Sequence, residues 1–238
     1  AEEEELNNIL IFEAKKLVPL DGSDPVIDYH IIGQNNQEID KIDIILVATT
    51  QKIIRAHDKI IKGCDLKNVI FDASPISLLN CYKFNYECPK DNVDVILDIG
   101  CMSTTIIVYG DNQELFTREI LIGGHHINLA IMELEKNNYK DAEYKKLEDG
   151  VSILNQNIAD GSGSIQIMQK NIISELSDEI RKTLRYYMKS KSGISYNEFY
   201  LSGGSANMVG LKDFLDTTLN VEFKLLNPGN GTNTGLNP

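Results

Sequence analysis

Val93-Asp94-Val95-Ile96-Leu97-Asp98-Ile99-Gly100-Cys101-Met102-Ser103-Thr104-Thr105 is the stretch on which the fold is read. Residues 93–98 are an apolar strand with Asp98 at its end. Gly100 lets the backbone turn sharply. Successive amides in such a turn make a concave nest for an anion. The hydroxyls of Ser103, Thr104 and Thr105 add donors, and Asp98 can hold a hydrated Mg²⁺ through water. Taken alone, the segment also fits a plain hairpin turn.

A second stretch about a hundred residues on changes that balance. Tyr200-Leu201-Ser202-Gly203-Gly204-Ser205 is a strand running into two glycines and a helix start. Paired glycines let a flat ring lie against the backbone where a Cβ would collide. Ser205 is placed to cap the following helix, whose N-terminus favours negative charge. A plain strand–helix turn is the alternative. The order of the two segments, with a long helix between them, favours a ligand.

Working outward, residues 104–109 and 114–121 read as a strand hairpin closed at 110–113. Gly123-Gly124 leads into a helix near 127–136, followed by an acidic helix at 141–148. Residues 160–164 are a Gly/Ser-rich loop, and a long helix covers 165–189. Strand 199–201, helix 209–219 and strand 221–225 complete this half. Before it, an amphipathic helix at 6–18 stops at Pro19. Strands at 26–32 and 42–49 and an amphipathic helix at 51–62 follow, with a short strand at 69–71. Pro75 opens a helix over 75–82 with Ser74 as its cap. The expected small unit is therefore α-β-β-α-β. Residues 229–238 are an Asn/Gly-rich, disordered tail.

Composition bounds the function. The chain has 238 residues, 42% of them apolar, enough for a sizeable core. Its 23 basic and 35 acidic side chains leave a net charge of −12, which disfavours nucleic acid and anionic membrane as direct ligands. Cys64, Cys81, Cys88 and Cys101 form no Cys-x-x-Cys pair and read as free thiols. No apolar run is long enough to span a bilayer, and no targeting segment is expected.

The residues also resemble a family. Asp98-Ile99-Gly100 with Thr104 and Thr105 looks like the second phosphate motif of the actin, heat-shock-chaperone and sugar-kinase superfamily. Residues 201–204 look like its adenosine motif, and Ile122-Gly123-Gly124 like the glycine pair beside the ribose. Asp72 looks like the acidic residue that helps place Mg²⁺ and the attacking water. The helix bearing Asp178, Glu179, Arg181 and Lys182 is similar to the one whose charges flank ribose and adenine; the alternative is a solvated face of i,i+3 and i,i+4 pairs. Residues 11–20 with 26–32 resemble the inserted subdomain of the PilM family, actin-like proteins of type IV pilus assembly. Val69-Ile70-Phe71-Asp72, Phe116-Thr117-Arg118-Glu119 and Ser202-Gly203-Gly204-Ser205-Ala206 with Gly210-Leu211 fit the same family. FtsA is similar too, but its C-terminal amphipathic membrane helix has no counterpart in Gly229-Asn230-Gly231-Thr232-Asn233-Thr234-Gly235.

The resemblance implies an α/β, actin-like (ribonuclease H-like) ATPase fold. Residues 1–71 would be the inserted, partner-binding subdomain and 72–92 a remnant of the first lobe with a linker. Residues 93–228 would be the second lobe, its helical subdomain at about 125–190. ATP with Mg²⁺ is the implied cofactor. The implied ligands are Asp98, Gly100, Ser103, Thr104, Gly123, Glu179, Lys182, Gly203, Gly204 and Ser205, with Asp72 and Asp98 near the metal and the chemistry. The implied partners are the N-terminal cytoplasmic tail of PilN and other pilus assembly proteins, with the apolar positions of 6–18 and 51–62 as groove candidates. The place would be the cytoplasm, against the inner membrane through those partners. The family has a first Asp-x-Gly loop ahead of the inserted subdomain, whereas this chain opens at the insertion, at Ala1 without Met. An N-terminally truncated chain is expected, with weakened nucleotide binding and weak or absent hydrolysis. A small-molecule kinase, an FtsA-like division protein and a filament-forming actin homologue remain as alternatives.

Overall fold

A computed structural model describes residues 3–17, 25–35, 38, 40–67, 69–155, 171–191 and 193–230. Pro19, the loop at 160–164, the first residues of the helix expected from 165 and most of the 229–238 tail lie outside them. The chain divides into two compact units, Ala1–Ala73 and Ser74–Pro238.

The first unit is α1 (Glu3–Leu17), β1 (Pro25–Gln34), β2 (Ile42–Thr50) and α2 (Gln51–Gly63). β1 and β2 are an antiparallel pair with a bulge between Ile31 and Gly33. α1 buries Leu10 and Ala14, one helical turn apart on its inward face. Thr50 caps α2 by accepting from the Ile53 amide at 3.4 Å. The strand expected at 69–71 is absent. Its residues are apolar, but β-propensity needs a ladder partner to act on. Without one, Ile70 is 89% exposed, and Phe71 sets its ring edge-on to His57, centroids 6.4 Å apart.

The second unit holds α3 (Ser74–Asn85), β3 (Val93–Ile99), β4 (Thr104–Tyr109), β5 (Phe116–Ile120), α4 (Gly124–Glu135), α5 (Tyr139–Asp149), α6 (Ser152–Asn155), α7 (Ile172–Ser190), β6 (Tyr196–Ser202), α8 (Leu211–Leu219) and β7 (Phe223–Leu225). The strands form one sheet in the order β5-β4-β3-β6-β7. β5, β4 and β3 are an antiparallel meander, whereas β3–β6 and β6–β7 are parallel.

Strand alternation assigns the two faces. Val93, Val95, Leu97 and Ile99 join Ile127 and Ile131 of α4, Ile173, Leu176 and Ile180 of α7, and Leu211 and Leu215 of α8 in the main core. Ile96, Ile107 and Tyr200 face the other way, onto Leu79 and Tyr82 of α3. β3 is thus covered on both sides, and each fully buried Leu, Ile or Val contributes about 1.5–3 kcal/mol. Asp94, 2% exposed, anchors α3 to the sheet. It accepts from the Tyr82 hydroxyl, from Asn197 Nδ2 at 2.8 Å and from the Glu198 amide at 2.9 Å. Burial and that carboxylate push the Tyr82 hydroxyl far above its usual range.

All four cysteines are free. Among the described residues no helix is long and apolar enough to cross a membrane, and no cluster of three or more metal-ligating side chains occurs.

Candidate functional site

The turn after β3 is closed by the Gly100 amide donating to Ser103 O at 3.0 Å. It lies between two clefts that meet at Cys101. The first, of about 360 Å³, is lined by Asp98, Gly100, Met102, Ser103, Thr105, Thr117, Arg118, Glu119 and the start of α3, Ser74 and Pro75. The second, of about 210 Å³, is lined by Gly124, His125, Tyr139, Glu143, Lys146, Leu147, Gly204, Ser205 and Met208.

Register explains the first cleft. Asp98 pairs with Thr105 on one side and with Ser202 on the other, and Thr105 pairs with Glu119. Glu119, Thr105, Asp98 and Ser202 therefore form one polar row across four strands. Burial raises the Asp98 carboxyl above its ordinary value, and a hydrogen bond with Ser202 only partly offsets this. A carboxylate in that condition gains from a nearby cation.

Thr104 is not part of this wall. It pairs with Ile99 and faces inward, fully buried, where its hydroxyl donates to Ile122 O at 2.8 Å. Its place in the cleft belongs to Thr105, one residue on and on the opposite face.

The glycines divide between bracing and space. A Cβ on Gly123 would come within 2.6–2.7 Å of Cys101 O, Gly100 O and Ser103 N. This bare approach lets α4 dock on the turn. The Gly124 amide donates to Gly100 O at 2.9 Å, and the His125 amide to Cys101 O at 2.8 Å. The first free amides of α4 are thereby committed to the turn and not to a ligand. Gly123 is a bracing residue, and Gly124 is the one that reaches the second cleft.

Gly203 has φ +88°, and a Cβ there would meet Ile99 O at 2.5 Å and Asp98 Oδ1 at 2.7 Å. Gly204 differs: a Cβ there would meet nothing within 4 Å. It opens onto the second cleft. Ser205 does not cap the next helix. α8 starts at Leu211 after Gly210, and Ser205 sits in a 3₁₀ turn over Gly204–Asn207. Its buried hydroxyl donates to Gly100 O at 3.3 Å, which ties the second glycine motif to the first turn.

Glu179 and Lys182 are not among the residues lining either cleft. On α7 they pair with each other at 2.6 Å, and Asp178 pairs with Arg181 at the same distance. Arg118 of β5 reaches Glu179 at 3.4 Å, and Arg181 also donates to Thr218 O at 2.7 Å. These are i,i+3 pairs on a face where Asp178, Glu179 and Arg181 are half-buried and Lys182 is exposed.

The charged pair beside Gly204 is instead Glu143 and Lys146 on α5, which the sequence reading missed. The Lys146 side chain is only 7% exposed, and its Nζ meets Glu143 at 2.7 Å. Burial works to raise the Glu143 carboxyl, but hydrogen bonds from Lys146 and Asn128 outweigh it and hold it below its ordinary value. One signal was available: Lys146 lies one turn after Ala142, which is fully buried, so a lysine occupies the inward face of an acidic helix.

Asp72 lies in the first unit, exposed, where its carboxylate accepts from the Ala73 amide at 2.8 Å.

The arrangement fits a nucleotide. Gly204 leaves open space for a flat group, Lys146 supplies a desolvated cation, Ser103 and Thr105 supply hydroxyls, and Asp98 presents a half-buried carboxyl to the first cleft.

Comparisons with known proteins agree on the fold. Residues 1–237 match the family described as type IV pilus assembly protein PilM. A solved PilM-PilN type IV pilus biogenesis complex superposes with TM-score 0.75 at 21% identity, covering 97% of this chain and 64% of the matched one. The chain thus spans less than two thirds of that relative. The ethanolamine utilization protein EutJ from Carboxydothermus hydrogenoformans has TM-score 0.53 at 16% identity, over 94% of this chain and 92% of its own. MreB5 of Spiroplasma citri, bound to AMPPNP, has TM-score 0.50 at 16% identity, over 74% and 60%. These likenesses show an α/β fold of the actin-like ATPase type.

Proposed function

We propose, from the premise that the chain belongs to the PilM family of type IV pilus assembly proteins, that it is a nucleotide-binding assembly factor that captures the cytoplasmic N-terminal tail of PilN. The observation that carries the nucleotide half is the pair of clefts meeting at Cys101, with Asp98 in one and the open side of Gly204 in the other.

In this reading the polyphosphate lies against Gly100, Ser103 and Thr105. Asp98 orients the waters of a bound Mg²⁺. The nucleoside lies over Gly204, between Ser205 and the Glu143–Lys146 pair. Gly123 and Gly203 act by close packing. Bound Mg²⁺ would neutralise the phosphates. Nucleotide is a conformational ligand here, and partner capture is the output.

The partner half rests on family membership and on the solved PilM-PilN complex. Residues 1–71 would form the partner-binding subdomain and residues 93–228 the nucleotide lobe, its helical subdomain at about 125–190. The exposed apolar side chains Ile9, Phe12, Ile53 and Ile60 are the groove candidates, since a peptide-binding trough keeps apolar surface open. The protein would work at the inner membrane through PilN and other pilus assembly proteins.

Calorimetric titration of a PilN-tail peptide, with and without Mg-ATP, tests the proposal. Saturable peptide binding, altered by nucleotide, is expected. No peptide binding in either condition, or phosphorylation of a small-molecule acceptor, would overturn it.

A further inference from the structure

Phe116-Thr117-Arg118-Glu119 forms most of β5. Alternation splits the motif. Arg118 lies opposite Ile106, a main-core residue, and its guanidinium reaches Glu179 of α7. It fastens the edge strand to the helix behind it. Glu119 lies opposite Thr105 and, like Arg118, lines the first cleft. There its Oε1 accepts from Ser103 Oγ at 2.6 Å, a charge-assisted bond to the turn itself.

Two consequences follow. Ser103 is the turn's side-chain donor in that cleft, and its proton is already committed to a carboxylate. Glu119 also stands two strands from Asp98 in the same row, with Thr105 between them. Strand spacing puts their backbones about 10 Å apart. Anything seated over Thr105 has a carboxylate on each side. A bare polyphosphate is repelled by both carboxylates, while the one cation among the described lining residues, Arg118, is already paired with Glu179, and it must compete with Glu119 for Ser103. The same polyphosphate carrying a divalent cation brings its own compensation.

We propose that Glu119 is a positioning residue: it holds Ser103 and the turn in place when the cleft is empty, and it makes the cleft selective for a polyphosphate with its divalent cation over the bare anion. This rests on the nucleotide reading and assigns a determinant of specificity within that site.

The test uses Glu119→Gln, which keeps the acceptor and removes the charge, and Glu119→Ala, which removes both. ATP affinity is measured by titration with Mg²⁺ and with EDTA. Glu119→Gln should tighten EDTA binding about tenfold, as expected for removing one like charge at close range, and change Mg-ATP binding much less. Amide hydrogen exchange without nucleotide supplies the second readout. Glu119→Ala should speed exchange across residues 100–105 by about tenfold, the loss of one charge-assisted bond, and Glu119→Gln should stay near the unaltered protein. A Glu119→Gln variant with unchanged EDTA affinity, or a Glu119→Ala variant with unchanged exchange, would overturn the assignment. Failure of the unaltered protein to bind ATP in either buffer would overturn the nucleotide reading itself and this one with it.

Discussion

Gly203 and Gly204 are adjacent and chemically identical, yet the structure gives them opposite sensitivities. Alanine at 203 must adopt φ +88° and bring its methyl to 2.5 Å from Ile99 O and 2.7 Å from Asp98 Oδ1. The left-handed backbone costs about 1–2 kcal/mol for a residue with a Cβ, and forcing apart packed strand ends costs about 1–3 kcal/mol more. The sum, roughly 3 kcal/mol, corresponds to a fall in Tm of roughly 6–12 °C for a domain of this size. Alanine at 204 meets nothing within 4 Å and should change stability by no more than about 0.5 kcal/mol. Thermal unfolding followed by circular dichroism measures both. The ligand site reverses the emphasis: a larger side chain at 204 occupies the cleft without disturbing the fold. Equal loss of Tm in Gly203→Ala and Gly204→Ala would refute the argument that one glycine serves packing and the other leaves space.

Asp98→Asn should raise the Tm of the nucleotide-free protein at pH 7 while weakening Mg-ATP binding. Because the folded-state pKa of Asp98 is raised, its contribution is most favourable below the unfolded value and is lost as pH rises through the folded one. The gain should therefore vanish in acid, below the ordinary carboxylate range, and a gain that persists there would count against the burial argument. Tyr82→Phe removes one of three donors to buried Asp94 and should cost about 1.5–3 kcal/mol, read as a drop in urea midpoint. Lys146→Met should lower nucleotide affinity about tenfold or more. Its stability cost should be about 1–2 kcal/mol, below the 3–5 typical when one partner of a fully buried pair is removed, because Glu143 is 42% exposed. Titration and thermal unfolding of the same variant separate the two effects.

Much of the second unit is legible in the sequence because its signals are local. The apolar run ending at Asp98, the turn glycine and the Gly203-Gly204 pair each declare their backbone requirement within a few residues. The rest depends on tertiary register. Thr104 and Thr105 are equivalent as residue types, and only the pairing of Asp98 with Thr105 shows which hydroxyl shares the cleft. Glu143-x-x-Lys146 and Glu179-x-x-Lys182 have the same spacing on two helices. The first carries a buried lysine beside Gly204 and the second an exposed one beside Arg118, a difference set by which helix packs over the glycine turn. Ser205 follows the glycines where a cap is expected, but the 3₁₀ turn it sits in directs its hydroxyl back to Gly100. Residues 69–71 have strand-forming side chains but pair with no strand among the described residues.

The most direct test of the account is calorimetric titration of Mg-ATP into the protein and into Gly204→Val, with the PilN-tail peptide titrated into both. The account predicts saturable nucleotide binding that the valine abolishes, with an unaltered melting profile and largely unchanged peptide binding. A Gly204→Val variant that remains folded and binds Mg-ATP as tightly as the unaltered protein would contradict it.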